Sequence, residues 1–215
     1  MTQQYDILLT TLNARYMHFA VGLRYLLANL EELESKTKVI EFTIQEQTLN
    51  IAEHLLQHQP KIIGFSVYIW NIREISDIVT VIKQISPDTV IVLGGPEVGH
   101  YPDVPDICEL ADFVISGPGE KSFRELCRQI LDKARPETKY LDGIATELAE
   151  LQLPYHLYNE EDIRNRLIYV EASRGCPFKC EFCLSALDKT ATAFPLESFL
   201  AEMDALWQRG VRNFK

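Results

Sequence analysis

Five short runs dense in Val, Ile, Leu, Tyr and Phe, at residues 5–11, 38–43, 62–68, 89–93 and 112–116, alternate with segments whose apolar side chains recur every three or four positions. That alternation is the tightest constraint on the fold, because parallel strands cannot be joined by tight turns and need a crossover, usually a helix. Several runs are apolar almost throughout, as expected of strands covered on both faces. Between them, Leu23, Leu26, Leu27, Leu30 and Leu33 mark one face of a first helix, and Leu49, Ala52 and Leu56 mark a shorter second one. Ile72, Ile75, Val79 and Ile82 mark a third, and Phe123, Leu126, Cys127, Ile130 and Leu131 a later one. Right-handed crossovers then predict an α/β domain over residues 1–135, a doubly wound parallel sheet of five strands.

From residue 136 to 166 the pattern weakens. Pro136, Gly143 and Pro154 interrupt it, and the segment reads as a linker between domains. Periodicity returns as a strand at residues 167–171, followed by a cysteine-bearing loop and a helix. In that helix Leu196, Phe199, Leu200, Met203, Leu206 and Trp207 share one side, with Pro195 in its first turn and Gly210 at its end. Residues 211–215 look like the opening of another strand. Residues 167–215 are therefore expected to hold the first βα unit of a (β/α) barrel, which needs on the order of 200 residues. The chain reads as a fragment, with part of the apolar face of its last helix lacking a cover.

Charge and cysteine content narrow the function. The 215 residues carry 21 basic against 31 acidic side chains, a formal charge of −10, with no run of Lys and Arg long enough to make a basic stripe. Nucleic-acid binding through this segment is not expected. No cationic start followed by an apolar stretch opens the chain, and its longest apolar runs fall far below the ~18 residues of a membrane span. A cytoplasmic protein with no membrane partner is expected. Five cysteines, three of them within eight residues, point to metal or redox use in a reducing compartment rather than to a disulfide framework. Cys127 falls on the apolar face of a predicted helix and reads as core.

The clustered cysteines are Cys176, Cys180 and Cys183 in the run SRGCPFKCEFCLS, a CxxxCxxC spacing directly after a predicted strand. Thiolates so spaced can converge on one soft metal centre from a single loop. Structural zinc closes with four ligands, and none of the five histidines, at positions 18, 54, 58, 100 and 156, lies near in sequence to supply the fourth. An iron–sulfur cluster normally takes four thiolates, so a three-thiolate cluster leaves one iron open to an exogenous ligand. A partial zinc site and a thiol–disulfide pair formed by Cys180 and Cys183 are the alternatives. The spacing, the aromatic Phe182 before the third cysteine and the place after a first barrel strand resemble the radical SAM superfamily. The resemblance implies that Cys176, Cys180 and Cys183 hold a 4Fe-4S cluster whose open iron chelates S-adenosylmethionine, with Phe182 beside the adenine. It also implies an electron donor such as flavodoxin or ferredoxin.

Doubly wound sheets bind ligands outside the carboxyl ends of their strands where the strand order reverses. In the flavodoxin-like order 2-1-3-4-5 that point lies between the first and third strands. The loops to weigh are residues 12–20, 66–71, 94–99 and 116–120, which contain NARYMH, SVYIWN, GGPEVG and SGPGE. Glycines in the last two permit close backbone approach or positive φ. No GxGxxG follows the first strand, and GPGEK lacks the Gly-Lys-Ser/Thr ending of a phosphate loop, which disfavours a nucleotide. What remains resembles the cobalamin-binding domain that precedes the barrel in one large subclass of radical SAM proteins. The resemblance places corrin and nucleotide-tail contacts at Asn13, Ser66, Tyr68, Gly94, Gly95, Pro96, Gly117 and Glu120. His18 is its candidate cobalt ligand. The DxHxxG of histidine-ligating domains is broken here, with Tyr16 at the Asp position and Gly22 one residue late.

The order of cobalamin-like domain, linker and cysteine loop resembles cobalamin-dependent radical SAM proteins across nearly the whole chain. It implies an enzyme of methyl transfer or related radical chemistry, on a substrate the resemblance does not specify, with catalysis requiring the remainder of the barrel. The competing reading is a binding module for a corrinoid or other small molecule, with structural metal at the cysteines and no catalysis. Two lesser signals complete the set. His54 and His58, spaced i, i+4, are expected on a solvated face opposite Leu49, Ala52 and Leu56. Tyr68, Trp70 and Tyr101 lie close to the proposed loops and could stack on a planar ring, although packing is the commoner role of such residues.

Overall fold

The computed structural model describes residues 3–99, 103–178, 180, 181, 183 and 190–215, which form two compact units, Met1–Ala145 and Thr146–Lys215. The first unit contains β1 (Ile7–Asn13), α1 (Val21–Ala28), β2 (Thr37–Thr43), α2 (Thr48–Leu56), β3 (Ile62–Ser66) and α3 (Ile72–Ile85). It continues with β4 (Val90–Gly94), a single-turn α4 (Ile107–Leu110), β5 (Phe113–Ser116), α5 (Glu120–Leu131) and β6 (Tyr140–Asp142). All its strands pair in parallel, in the order β2-β1-β3-β4-β5-β6. The doubly wound α/β fold is as expected, with six strands where the sequence shows five. The additional strand, β6, lies inside the segment expected to be a linker. Three edge residues, two half-exposed and one exposed, are too few to display an alternating pattern, and only pairing with Val114–Ser116 identifies them as a strand.

Side chains alternate across the strands and fill two cores. On one face Leu8, Ile63, Phe65, Ile91 and Leu93 meet Ile51 and Leu55 of α2 and Ile75, Ile78, Val79 and Ile82 of α3. On the other, Ile7, Leu9, Ile62, Val92 and Phe113 meet Leu23 of α1 and Phe123, Leu126 and Cys127 of α5. Burial of the Cys108 and Cys127 thiols pushes their pKa values up, so both are inert core residues.

The buried stripe of α2 is Ile51, Ala52 and Leu55, whereas Leu49 is exposed. The expected and observed stripes share Ala52 and differ at the other two positions, and packing into the core with side chains of β2 and α3 selects between them. His54 faces outward as expected, but His58 does not lie on a solvated face. The chain leaves the helix at Gln57, and His58 turns under it, only 2% exposed, with Nδ1 2.7 Å from the Gln3 carbonyl oxygen and its ring edge-on to Tyr5.

The second unit contains α6 (Glu160–Asn165), β7 (Ser173–Gly175), β8 (Ala191–Ala193) and α7 (Leu196–Gln208). Asn159 and Asp162 form a reciprocal capping box at the start of α6. The expected strand at residues 167–171 is reduced to one parallel bridge, Ile168 with Phe214, flanked by Val170 N–H donating to the Lys215 carbonyl and Lys215 N–H donating to the Ile168 carbonyl, both at 2.9 Å. The opposite edge of this stretch is occupied by side chains. The Tyr158 hydroxyl donates to the Tyr169 carbonyl at 2.7 Å, and the Tyr155 hydroxyl accepts from Glu171 N–H at 2.8 Å. Both tyrosines are buried. They satisfy backbone groups that an open strand edge would otherwise leave available for pairing. The helix at residues 196–208 forms as expected, burying Leu206 while Leu196, Leu200 and Trp207 are exposed.

At the amino edge of the first unit, Asp112 joins three elements. It accepts from Ile91 N–H at 2.8 Å and from Lys83 at 2.5 Å, and it pairs with Arg135. Burial alone would raise its pKa, but the Ile91 N–H and the two cations outweigh burial and hold it below the ordinary carboxylate range. A carboxylate with a depressed folded-state pKa contributes stability that is present above the unfolded value of about 4 and is lost as pH falls through the folded value. Asp112→Asn is therefore expected to cost about 1–3 kcal/mol at pH 7. The difference from wild type in urea titrations should shrink below about pH 4, and a gap of constant size down to pH 2 would refute this assignment.

Candidate functional site

Because every strand of the first unit runs the same way, every loop that follows a strand emerges at the same edge of the sheet. The loops after β1, β3, β4 and β5 therefore share this edge, as do those after β2 and β6. The switch point lies at β1, which pairs with β2 on one side and β3 on the other.

The loop after β1 is held by a buried polar cluster. Asn13 donates through Nδ2 to the His18 carbonyl at 3.1 Å and to Glu41 Oε2 at 3.2 Å, while Glu41 Oε1 accepts from Ala20 N–H at 3.1 Å and pairs with Arg24. Asn13, which the resemblance places among the ligand contacts, is buried, and its amide fixes the loop carrying His18. His18 is half-buried in a turn in which its N–H donates to the Arg15 carbonyl at 3.1 Å. Glu41 and Arg24 were not apparent as site residues, since charges in a strand and a helix ordinarily face solvent.

The loop after β3 is organised by Asn71, which has no exposed surface. Its Nδ2 donates to Thr11 Oγ1 at 3.1 Å, the Leu12 carbonyl at 3.0 Å and the Ser66 carbonyl at 3.3 Å, and its Oδ1 accepts from Tyr68 N–H at 2.8 Å. An asparagine directly before a helical pattern reads as an N-cap. Here it makes no side-chain cap bond to α3 and turns instead into the strand ends. Ser66 contributes its carbonyl, not its hydroxyl, to this arrangement. Tyr68 and Trp70 stack with ring centroids 4.5 Å apart and planes 8° from parallel, and Trp70 Nε1 donates to the Leu12 carbonyl at 3.3 Å. Both rings are partly exposed and Ile69 between them is 74% exposed.

After β4, the Gly94 carbonyl accepts from Val67 N–H at 2.8 Å, and Gly95 follows with φ +106°. A Cβ on Gly95 would lie 2.5 Å from the Val67 carbonyl oxygen, so the backbones of the two loops touch. Pro96 is half-buried beside it. After β5, Gly117 is exposed with φ +87°, and Gly143 packs so closely that its Cβ would lie 2.5 Å from Pro118 N. Glu120 is buried in the first turn of α5, only 6% exposed. Tyr101 lies outside the described residues.

In the second unit, β7 and β8 pair antiparallel and bracket the cysteine loop. Gly175 has φ +84°, and a Cβ there would overlap the Thr190 carbonyl oxygen, so the hairpin requires glycine directly before Cys176. Cys176 is half-buried, Cys180 and Cys183 are exposed, and all three are free thiols. Cys183 N–H donates to the Cys180 carbonyl at 3.1 Å, which places these two on one turn. Phe182 lies outside the described residues. Among the described residues no group of three or more His, Cys, Asp or Glu side chains is placed to hold a single metal ion. An all-thiol donor set suits an iron–sulfur cluster, which binds each thiolate on a separate iron and does not require convergence on one point.

The family model described as B12 binding domain matches residues 7–127. An uncharacterized methyltransferase of Pyrococcus horikoshii is 26% identical over 91% of this chain and 47% of its own length. TokK of Streptomyces tokunonensis, named a cobalamin-dependent radical SAM methyltransferase, is 27% identical over 58% of this chain and 22% of its own length. This chain thus spans less than half of either relative. A crystal structure described as a novel cobalamin-binding protein from Desulfitobacterium hafniense aligns with a TM-score of 0.41 and 17% identity, covering 59% of this chain and 58% of the other.

Gly95→Ala combines a positive φ with a backbone collision and is expected to cost at least about 2 kcal/mol in chemical denaturation. Gly99→Ala, whose Cβ would meet nothing closer than 3.5 Å, should be near neutral. Equal effects of the two would show that the loop after β4 is not packed in this way.

Proposed function

Since the chain belongs to the B12-binding domain family, we propose that its first unit binds cobalamin across the carboxyl edge of the sheet and serves a cobalamin-dependent radical SAM methyltransferase. One observation carries this reading beyond family membership. Among the described residues of the first unit, the exposed large apolar side chains Tyr16, Met17, Leu49, Ile69, Trp70 and Ile144 all follow the carboxyl end of a strand, whereas only Ile85 and Leu110 are exposed elsewhere. A concentration of apolar surface on one edge marks a binding face, and a corrin is a broad, flat and largely apolar ring. Gly117, with nothing closer than 3.9 Å to where a Cβ would stand, supplies backbone without a side chain along the same edge, where a planar ligand can approach closely.

Cobalamin, when bound, supplies a cobalt centre able to carry a methyl group. The chain's own contribution is to orient that cofactor. Asn13 and Glu41 keep the loop bearing His18 in place, and the aromatic pair Tyr68 and Trp70 offers a flat apolar surface at the switch point. Cys176, Cys180 and Cys183 would hold a 4Fe-4S cluster with one iron open to S-adenosylmethionine, reduced by a partner such as flavodoxin or ferredoxin. Methyl transfer, rather than another radical reaction, is favoured by the names of the two relatives.

Equilibrium dialysis against hydroxocobalamin is expected to show one equivalent retained by the folded chain, and no retention would overturn the cobalamin reading. Anaerobic reconstitution with iron and sulfide is expected to give a visible charge-transfer band and labile sulfide that Cys180→Ala loses. Stoichiometric zinc without labile sulfide would instead establish a structural metal at the cysteines.

A further inference from the structure

The crevice between β1 and β3, where doubly wound sheets usually receive a ligand, is spanned here by side chains: Thr11 Oγ1 donates to the Ser66 carbonyl at 2.8 Å, and Asn71 makes the larger set of bonds. Asn71 reaches the end of β1 through Thr11 and Leu12, the end of β3 through Ser66, and the loop beyond through Tyr68 N–H. All its side-chain bonds run to this edge and none caps α3. The Trp70 indole repeats the connection by donating to the Leu12 carbonyl, the same oxygen that accepts from Asn71. The loop between these anchors presents two stacked rings and the largely exposed Ile69. Without the anchors, a loop of this size would sample many conformations, and binding a rigid planar ring would have to order it.

We infer that Asn71 is a positioning residue for the corrin-binding edge, holding Tyr68, Ile69 and Trp70 as a preformed platform before the ligand arrives. The inference rests on the cobalamin reading given above. Asn71 has no exposed surface, so it acts through the loop and not by contact with the ring. Deleting its amide removes the acceptor of Tyr68 N–H, at a site where an unmade hydrogen bond is costly, and takes one donor each from the Leu12 and Ser66 carbonyls, which keep Trp70 Nε1 and Thr11 Oγ1.

The test uses the full chain in a Trp207→Phe background, in which Trp70 is the single remaining tryptophan of two. Quenching of Trp70 fluorescence by hydroxocobalamin reports binding, and acrylamide quenching reports the order of the loop. Asn71→Ala is expected to weaken hydroxocobalamin binding at least about ten-fold and to increase acrylamide access to Trp70. Asp112→Asn, destabilised at the opposite edge, should leave the Kd unchanged, which separates positioning from general loss of stability. An unchanged Kd and unchanged Trp70 access in folded Asn71→Ala would overturn the inference. If Asn71→Ala does not fold, binding of hydroxocobalamin in the wild-type tryptophan background to Asn71→Asp, which keeps an oxygen to accept from Tyr68 N–H but lacks the donor to the Leu12 and Ser66 carbonyls and leaves both rings intact, is measured by dialysis. Weaker retention supports a platform held at Leu12, and wild-type retention overturns it. Failure of the parent chain to bind hydroxocobalamin would sink the cobalamin reading itself, an outcome distinct from either.

Discussion

Burial of β1 along its whole length is the constraint on which the rest of the first unit depends. All seven of its residues, Ile7–Asn13, are buried, and its backbone pairs in parallel with β2 on one side and β3 on the other. A strand so placed can satisfy its polar groups only within the protein, by the sheet and by side chains such as Asn71 and Trp70 at its end, and its alternating side chains must feed a core on each face. Leu8 and Leu12 enter one core, Ile7 and Leu9 the other. Parallel pairing then sends every following loop to one edge. The edge proposed for the cofactor is a consequence of how β1 is covered.

That edge is held by polar residues as well as by apolar packing of Val67 and Val98. Glu41, Arg24 and Asn13 secure the loop after β1, and Asn71 secures the loop after β3. Backbone carbonyls at strand ends have no further strand to bond, and a short amide or carboxylate side chain reaches several of them at once. The apolar surface left exposed around these anchors is unfavourable in water, and a ligand that covers it recovers that free energy. Rigid polar anchors beneath an exposed apolar rim are the physical basis for reading this edge as a cofactor face.

The second unit uses the same means on a smaller scale. Its strand-like stretch is short, and its open side is closed by the hydroxyls of Tyr155 and Tyr158. These residues lie in a segment that looks like a linker because two tyrosines and a six-residue capped helix produce no long apolar period. The hairpin of β7 and β8 is equally hidden: each strand has three residues, and its only sequence mark is Gly175, whose positive φ and contact with Thr190 become meaningful once the partner strand is known.

The amino-acid order by itself determined the alternation of strands and helices, hence the parallel doubly wound sheet, the glycine-bearing loops after β4 and β5, and the grouping of three thiols on one loop. These follow from local periodicity and spacing, which act over a few residues. Tertiary structure alone decided the sixth strand, the buried stripe of α2, the burial of His58 and Glu120, and the bonds by which Asn13 holds the loop after β1. It also decided the role of Asn71, whose four partners come from residues 11, 12, 66 and 68 and are gathered only when β1 and β3 lie side by side. A polar side chain is assigned by the neighbours that surround it, and neighbours distant along the chain are fixed by the packing of the sheet rather than by any local pattern.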